Sequence, residues 1–404
     1  MQDLLFVSHC TPYPPDKGEK IRAFNVIKHL SQHYRIHLGC LTDQAADAGH
    51  LESLRQWCKT VAGFPINRPR QKVKALALFR PGRPLMLDYY RQAGLQRWVM
   101  DRLEAPGIDL AYVYTVAMMP YVEHARRLPL VLDATDIDSE KWSTYAETAG
   151  FPMRLLWSRE GKTLLEFERR SAARADATLF VSPHEAGRFK ELAPEQAERI
   201  FAVENGVDLS RFSPDTPYDT PFASAGPNVV FTGHMDYWPN ADAVAWFAEQ
   251  VVPGLRAASP GLTFSIVGAN PGPATRKLAD TPGIVVTGRV ADVRPYLAHA
   301  DVCVAPLRIA RGIQNKVLEA MAMGRPMVAS PQAFAGIRAT SGRDLLVADG
   351  TAATQQAILD VLHQVHPGLG ASGRRAVEQA YAWSATLAGL DTLLENVAPS
   401  AVVG

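Results

Sequence analysis

The segment APLRIARGIQNKVLEAMAMGRPMVAS, at Ala305–Ser330, is the most informative part of this chain. It predicts the end of a strand, a loop, and then a helix that opens at about Ile313 and runs into Met323. Gly324 then closes the helix and Pro326 precedes the next strand, because these two residue types commonly follow a helix end. A strand, a helix and a second strand in this order are typical of an α/β sheet.

The predicted helix carries residue types that suit a nucleotide. Lys316 and Glu319 are three residues apart, so they share one face of the helix. Around the helix N-terminus, a phosphate would meet Gly312, Ile313, Asn315 and Lys316, which offer backbone N–H groups, a favourable dipole and a mobile cation. A carboxylate one turn deeper can accept two hydrogen bonds from a ribose diol. The segment therefore predicts a nucleotide-sugar site, although a plain amphipathic helix on a sheet also fits it.

The same residues resemble the donor helix of GT-B glycosyltransferases of family 4, which carry E-x7-E followed by A-M-A-x-G-x-P. Glu319 matches the second Glu, and the resemblance implies that it holds the ribose. The first Glu is replaced by Arg311, so the family's contact with the donor sugar is absent or replaced. We expect Lys316 and Arg311 to stabilise charge on the departing phosphate, with Arg308 as a further cation that binds the donor.

Length and composition set the class of protein. The chain has 404 residues, 47% hydrophobic and 21% charged, with a formal net charge of +1, which predicts two soluble domains. Its four cysteines, at 10, 40, 58 and 303, form no C-x-x-C pair and indicate reduced thiols in a cytoplasmic protein. We find neither a signal-peptide pattern nor an apolar run of membrane-spanning length. Basic and aromatic residues form no nucleic-acid signature.

Short apolar runs alternate with helical patterns along the whole chain, and their continuous apolar character favours parallel sheets. The predicted strands are Leu4–Ser8, Arg35–Leu41, Leu110–Tyr114, Leu130–Asp133, Thr178–Ser182, Ile200–Val203, Val229–Thr232, Thr263–Val267, Ile284–Thr287, Val302–Ala305, Met327–Ser330 and Leu345–Ala348. The pattern, together with the resemblance, predicts an α/β GT-B fold in which two Rossmann-like, doubly wound domains face an inter-domain cleft.

The predicted domain boundary lies in the polar, turn-rich stretch Glu204–Asp219. Its residues match the family's N-G-V-D-x-x-x-F-x-P signature, at the start of the C-terminal domain. We expect an acceptor-side domain at 1–205, a donor-side domain at 206–371, and a C-terminal helix within 372–404 that crosses back onto the first domain.

The loop after the first strand, PYPPDKGEKIRAFN, resembles the family's glycine-containing loop. P-x-x-G-x-x-x-R matches Pro15, Gly18 and Arg22, and the next helix is expected near Glu19. We expect Gly18, Lys20 and Arg22 to meet the donor phosphates or the acceptor. An ordinary strand-to-helix turn is the alternative.

A second polar loop, DATDID, follows a buried strand and contains a D-x-D at Asp136–Asp138. Such a motif binds a metal in GT-A enzymes, but the GT-B pattern implies no metal and no other cofactor. The resemblance makes Asp136 the residue that orients the sugar or the acceptor hydroxyl, and it could act as a base. Alternatively, Asp133 and Asp138 cap the following helix.

The stretch FTGHMDYWPN, at Phe231–Asn240, begins with the first strand of the second half. We expect the backbone at Gly233 to approach the diphosphate, and Asn240 to cap the next helix. His234 stands where much of the family has Arg, and we expect it to contact the donor.

A third match is the stretch Thr287–Asp301, which resembles the family's G-x-V-x-D-V-x-x-Y-x-x-A-D pattern, with one additional residue between Tyr296 and Ala300. It implies that Arg289 and Val290 meet the nucleotide base, mainly through backbone atoms.

The stretch Val61–Pro84 holds six Lys or Arg residues and no acid. Val73 and Leu76 fall at helical spacing, which predicts a basic amphipathic helix for an anionic membrane face or a lipid-diphosphate acceptor. A solvated basic helix is an equal alternative. Met153–Arg174 is predicted to be a mixed-charge surface helix.

These features favour a retaining glycosyltransferase that moves a sugar from a nucleotide-diphosphate sugar to a glycan or lipid-linked acceptor. Retention, with front-side attack, is implied by the family. The segments SHCTPYPPDKGEKIR, DATDIDSEKW and GIQNKVLEAMA most resemble sugar transferases of bacterial PEP-CTERM/exosortase exopolysaccharide clusters. A GT-B nucleotide-sugar epimerase and a non-catalytic nucleotide-sugar sensor remain alternatives. A dinucleotide oxidoreductase is disfavoured, because no G-x-G-x-x-G follows a strand.

Overall fold

The computed structural model describes residues 1–15, 18–43, 47–223, 226–310 and 312–398. It divides into two compact units, Met1–Asn205 with Thr386–Gly404, and Gly206–Ala385. Each unit has its own cluster of buried apolar side chains. In the described residues, no helix is long and apolar enough to cross a membrane.

The first unit is built on a seven-stranded parallel sheet. Its strands are β1 (Gln2–Ser8), β2 (Tyr34–Thr42), β3 (Cys58–Pro65), β4 (Leu110–Tyr114), β5 (Leu130–Thr135), β6 (Ala177–Phe180) and β7 (Ile200–Ala202), in the order β3-β2-β1-β4-β5-β6-β7. Leu4, Leu5, Phe6 and Val7 of β1 are fully buried, as expected of a central strand covered by helices on both faces.

Helices connect these strands and cover the sheet. They are α1 (Gly18–Leu30), α2 (Asp47–Ser53), α3 (Arg68–Ala77), α4 (Leu85–Tyr89), α5 (Ala93–Glu104), α6 (Asp138–Thr148), α7 (Met153–Arg174) and α8 (Pro183–Leu192). The last helix of the chain, which begins in the second unit at Trp383 and ends at Val397, belongs to this unit from Thr386 onward. His29 Nε2 lies 2.9 Å from Asp391 Oδ1 and joins that helix to α1.

The second unit repeats the same plan with six parallel strands. These are β8 (Asn228–Thr232), β9 (Thr263–Val267), β10 (Ile284–Gly288), β11 (Val302–Ala305), β12 (Met327–Ala329) and β13 (Leu346–Val347), in the order β10-β9-β8-β11-β12-β13. Its helices are α9 (Trp238–Trp246), α10 (Val252–Ala258), α11 (Pro273–Lys277), α12 (Arg294–Ala298), α13 (Asn315–Ala322), α14 (Pro331–Phe334), α15 (Thr351–Leu362) and α16 (Leu369–Tyr381), and the last helix is α17.

Two doubly wound sheets confirm the predicted α/β fold class. In each sheet, the first three strands follow one another towards one edge and the later strands lie on the other side of the first strand. The strand order therefore switches between β1 and β4 and between β8 and β11. Such switch points are where ligands bind in open α/β sheets, outside the carboxyl ends of the strands. The fold therefore marks one candidate position in each unit.

Three details differ from the sequence prediction. The edge strand β3 was not predicted, because most of its residues are only half-buried and its apolar pattern is weak. The helix expected to open at about Ile313 begins two residues later, at Asn315. The helical pattern expected over 372–396 is broken at Ala382 into α16 and α17, because that residue has an extended backbone. Gly324 follows α13 with φ 66°, as predicted for a helix end.

Candidate functional site

In the second unit, the loop after β8 and helix α13 after β11 flank the switch point. Lys316, in the first turn of α13, donates a hydrogen bond to Asn240 Oδ1 at 2.5 Å. Its Nζ also lies 4.3 Å from the centre of the Phe231 ring, a cation–π distance. We call Gly233, Asn240, Lys316 and Glu319 the donor cradle.

The absence of a side chain at Gly233 leaves room for the side chains of Asn240 and Lys316. A Cβ atom at this position would lie 2.7 Å from Asn240 Nδ2 and 3.1 Å from Lys316 Nζ. Asn240 Nδ2 donates to the carbonyl of His234 at 2.8 Å and so fixes the loop. Asn240 was predicted to cap α9, but the cap position is Tyr237, and Asn240 lies inside the helix. Its amide instead links the loop to Lys316.

Burial perturbs both charged side chains of the donor cradle. It lowers the pKa of Lys316 to about 7, although the carboxylate of Glu319 opposes that shift. It raises the pKa of Glu319 to about 7, against the nearby positive charges of Arg211 and Lys316. The site therefore holds a cation and a carboxylate that both titrate near neutral pH. Such perturbed pairs are frequent at functional sites.

The N-terminus of α13 fits an anion. Gly312 is exposed and has φ 63°, a conformation that suits glycine. The side chain of Gln314, at the cap position, donates to the carbonyl of Gly312 at 3.0 Å and does not cap the helix. The first-turn N–H groups of a helix have no acceptor within the helix. With Asn315 and Lys316 in that turn, the helix offers N–H donors and positive charge to a phosphate.

The other predicted donor residues have varied surroundings. Arg308 is exposed and forms an ion pair with Asp242 of α9, with Nε 2.8 Å from Oδ2. His234 is exposed, with Nδ1 4.0 Å from Asp236 Oδ1. Ile313 packs against the core of the unit. Arg311 lies outside the described residues.

The predicted base-binding pair follows β10. Arg289 is exposed, while Val290 is half-buried and packs against the core of the second unit. Gly288, at the end of β10, has φ 68° and turns the chain there. The backbone of the pair therefore continues from the carboxyl end of a strand in the same sheet as the donor cradle.

In the first unit, the predicted loop residues near the N-terminus belong to a helix. Gly18 begins α1, Lys20 is half-buried, and Arg22 is 1% exposed. Arg22 Nε donates to Asp133 Oδ2 at 2.8 Å, and its Nη1 donates to the carbonyl of Val203 at 2.8 Å. The expectation that Arg22 meets a ligand therefore requires correction, because the structure commits it to a buried ion pair.

In the DATDID loop of the first unit, the alternative that Asp133 caps the following helix is wrong. Asp133 lies within β5, fully buried, and accepts a hydrogen bond from Tyr112 Oη at 2.7 Å as well as those from Arg22. Helix α6 is capped from another element, because Glu168 of α7 accepts hydrogen bonds from the Ser139 N–H and Oγ–H. Burial raises the pKa of Glu168 to about 8. Asp138 is the first residue of α6.

Asp136 lies on the turn between β5 and α6. The preceding Thr135 has φ 68°, an uncommon conformation for a β-branched residue, which costs on the order of 1–3 kcal/mol. Asp136 is exposed, yet the protein around it displaces enough water to raise its pKa. A carboxylate with a raised pKa, held on a strained turn beyond a strand end, is suited to accept a proton. In the described residues, no group of three or more His, Cys, Asp or Glu side chains could hold a metal ion.

Sequence reasoning missed several contacts of the two sites. The Phe231 ring under Lys316 and the charge of Arg211 near Glu319 were not anticipated. Arg211 stands one residue before Phe212 of the N-G-V-D-x-x-x-F-x-P match, so that motif was the available signal. Nothing in the sequence signals the capping by Glu168, because its partner Ser139 is 29 residues away.

Comparison with known proteins agrees with this architecture. Residues 226–364, which include β8 and α13, match a family model described as "Glycosyl transferases group 1". No curated protein matches the chain. Among solved structures, HepE of Anabaena in complex with UDP is 17% identical, with a TM-score of 0.66 over 98% of this chain and 100% of that one. A glycosyltransferase from Rickettsia africae is 11% identical, with a TM-score of 0.68 over 99% and 100%. Sucrose-phosphate synthase from Thermosynechococcus elongatus is 15% identical, with a TM-score of 0.67 over 98% and 99%.

These findings define a protein of the GT-B fold. The match over residues 226–364 and the fold together support a glycosyltransferase.

Proposed function

We propose that the protein is a retaining glycosyltransferase that moves a sugar from a nucleoside-diphosphate sugar to a glycan or lipid-linked acceptor. The donor cradle carries this proposal. Lys316 lies in the first turn of α13, where a helix N-terminus suits a diphosphate, and Glu319 lies three residues further along, where its carboxylate would accept hydrogen bonds from the ribose hydroxyls. UDP and UDP-glucose are bound in the HepE structures, so uridine nucleotides are the first donors to test.

In the proposed reaction, the bond between the sugar C1 and the oxygen of the donor's β-phosphate breaks. A bond from C1 to the acceptor oxygen forms on the same face of the sugar, and the acceptor proton passes to a donor phosphate oxygen or to Asp136. The leaving diphosphate gains negative charge, which Lys316 and the N–H groups of α13 stabilise. We propose that this positive charge serves in place of a metal ion.

We also propose that Arg311 is a second catalytic cation. We further propose that the protein belongs to glycosyltransferase family 4 and acts in bacterial exopolysaccharide synthesis, in a PEP-CTERM system. The support for that role is the resemblance of the segments at 8–22, 133–142 and 312–322. A cytoplasmic location is supported by the cysteines, because Cys10, Cys40, Cys58 and Cys303 are all buried thiols outside any disulfide.

The test is to incubate the purified protein with UDP-glucose and other nucleotide sugars and to follow the products. Chromatography measures release of the nucleoside diphosphate, and proton NMR reads the anomeric configuration of the sugar product. Release with the donor's configuration kept is the expected result. An inverted product contradicts retention. A changed sugar still attached to the nucleotide indicates an epimerase, and binding without release, with every acceptor tried, indicates a sensor.

A further inference from the structure

The first unit exposes a set of large apolar side chains in two short segments. The chain has sixteen exposed large hydrophobic residues among those described, and seven of them fall within 73–79 and 151–155. These seven are Val73, Leu76, Leu78, Phe79, Phe151, Met153 and Leu155. Single exposed apolar residues are ordinary, whereas a cluster usually marks an interaction surface.

Contacts within the unit join the two segments. Arg159 of α7 packs on the Phe79 ring, with its guanidinium carbon 4.4 Å from the ring centre. The same side chain donates to the carbonyls of Arg80, Pro81 and Arg83. The start of α7 therefore lies against the chain that follows α3. We call segments 68–83 and 149–159 together the α3–α7 surface.

The α3–α7 surface carries mainly positive charge. Residues 61–84 hold six Lys or Arg and no acid, and residues 149–159 add Arg154 and Arg159 with no acid. Asp43 pairs with Arg68 at the start of α3, and the acids that follow each segment are buried and already engaged. Asp88 pairs with Arg83, and Glu160 accepts hydrogen bonds from the backbone N–H groups of Leu85 and Met86.

We propose that the α3–α7 surface docks on a bilayer that contains anionic phospholipid. Cations beside exposed apolar side chains match the two layers of such a surface, since the headgroups are negative and the acyl chains lie beneath them. The most exposed side chains, Phe151 at 84% and Val73 at 69%, belong to different segments, so both segments reach the solvent. A polynucleotide would satisfy only the cations of this surface.

The measurement is sedimentation of the full chain with vesicles of phosphatidylcholine alone or mixed with phosphatidylglycerol. Binding is expected only to the mixed vesicles and is expected to weaken as salt rises from about 0.15 M to about 1 M, because salt screens exposed charges. The K72E/K74E double variant should bind at least about 25-fold more weakly, since each cation near an anionic bilayer contributes about fivefold. The F151S/L155S double variant should lose about tenfold for each apolar side chain.

Matched controls lie in the second unit, where Lys277 and Val365 are exposed. The K277E and V365S variants should bind as the wild type does, and circular dichroism should show that all four variants are folded. No sedimentation of the wild type, equal binding to phosphatidylcholine alone, or unchanged binding by the two double variants would overturn the proposal. So would a dimer, by analytical ultracentrifugation, that the double variants abolish, because the surface would then bind a second copy. The test does not involve glycosyl transfer, so it stands apart from the proposed function.

Discussion

The affinity for a nucleotide sugar should pass through a maximum near pH 7, because both charged groups of the donor cradle titrate there. Burial lowers the pKa of Lys316 to about 7, so the cation proposed to meet the diphosphate is lost as pH rises. Burial raises the pKa of Glu319 to about 7, so the carboxylate proposed to bind the ribose becomes protonated as pH falls. Deprotonation of Lys316 should therefore cause the loss of affinity above pH 7, and protonation of Glu319 should cause the loss below it.

The size of the effect follows from the two pKa values. A group that must be charged loses a factor of ten per pH unit beyond its pKa, or about 1.4 kcal/mol. Near pH 8.5, about 1.5 units above the pKa of Lys316, the dissociation constant should be about 30-fold larger than that of the site with both groups charged, or about eightfold larger than at the maximum near pH 7. Glu319 should produce a decline of the same order below pH 6.

Isothermal titration calorimetry with UDP-glucose over this pH range measures the profile. The diphosphate of a nucleotide sugar is esterified at both ends, so the ligand does not titrate in this range. Lys316→Arg should flatten the alkaline side, because guanidinium stays charged, and Glu319→Gln should flatten the acid side. Lys316 and Glu319 do not set the pH dependence if the affinity does not vary between pH 6 and 8.5. The same holds if the Arg variant loses affinity above pH 7 as the wild type does.

Three further predictions concern single side chains. Glu319→Ala should weaken nucleotide binding by at least about tenfold in calorimetry, because the ribose would lose the acceptor proposed for it. Gly233→Ala should weaken donor binding by a similar factor, because the added methyl group would meet Asn240 Nδ2 at 2.7 Å. Arg22→Met should lower the free energy of unfolding by about 3–5 kcal/mol in urea titrations, because Asp133 would be left buried without its partner.

Each of these has a control from the same chain. Glu378→Ala removes an exposed partner of Arg374 and should not change nucleotide affinity. Gly187→Ala, in α8, meets no atom within 4 Å and should leave donor binding unchanged. Arg55→Met breaks an exposed pair and should cost less than about 1 kcal/mol. If Glu319→Ala or Gly233→Ala behaves like its control, the donor cradle is misassigned, and if Arg22→Met does so, the buried pair with Asp133 is not structural.

The sequence predicted the sheets well, because buried parallel strands are short apolar runs that local composition records. Leu110–Tyr114, Thr263–Val267 and Val302–Ala305 have the predicted bounds. The edge strand Cys58–Pro65 was missed because most of its residues are only half-buried, so it is not a continuous apolar run.

Side-chain partners were harder to predict, because they depend on contacts between distant parts of the chain. Arg22 has the spacing of a ligand-binding residue, but 111 positions away Asp133 lies beside it in the fold and pairs with it. Asn240 has the position of a helix cap, yet it holds Lys316, 76 residues further on. The spacing of Lys316 and Glu319 was readable because both lie on one helix, where local geometry decides which side chains are neighbours.

A thermal-shift comparison with UDP, GDP and ADP measures whether the donor cradle binds a nucleoside diphosphate. We predict that one of the three stabilises the wild-type protein, that EDTA leaves the shift unchanged, and that the shift is lost in Glu319→Ala. Calorimetry with the same nucleotides detects a ligand that binds without changing the melting temperature. Absence of binding by all three in both measurements, or a shift that EDTA abolishes, would overturn the proposed metal-independent nucleotide site.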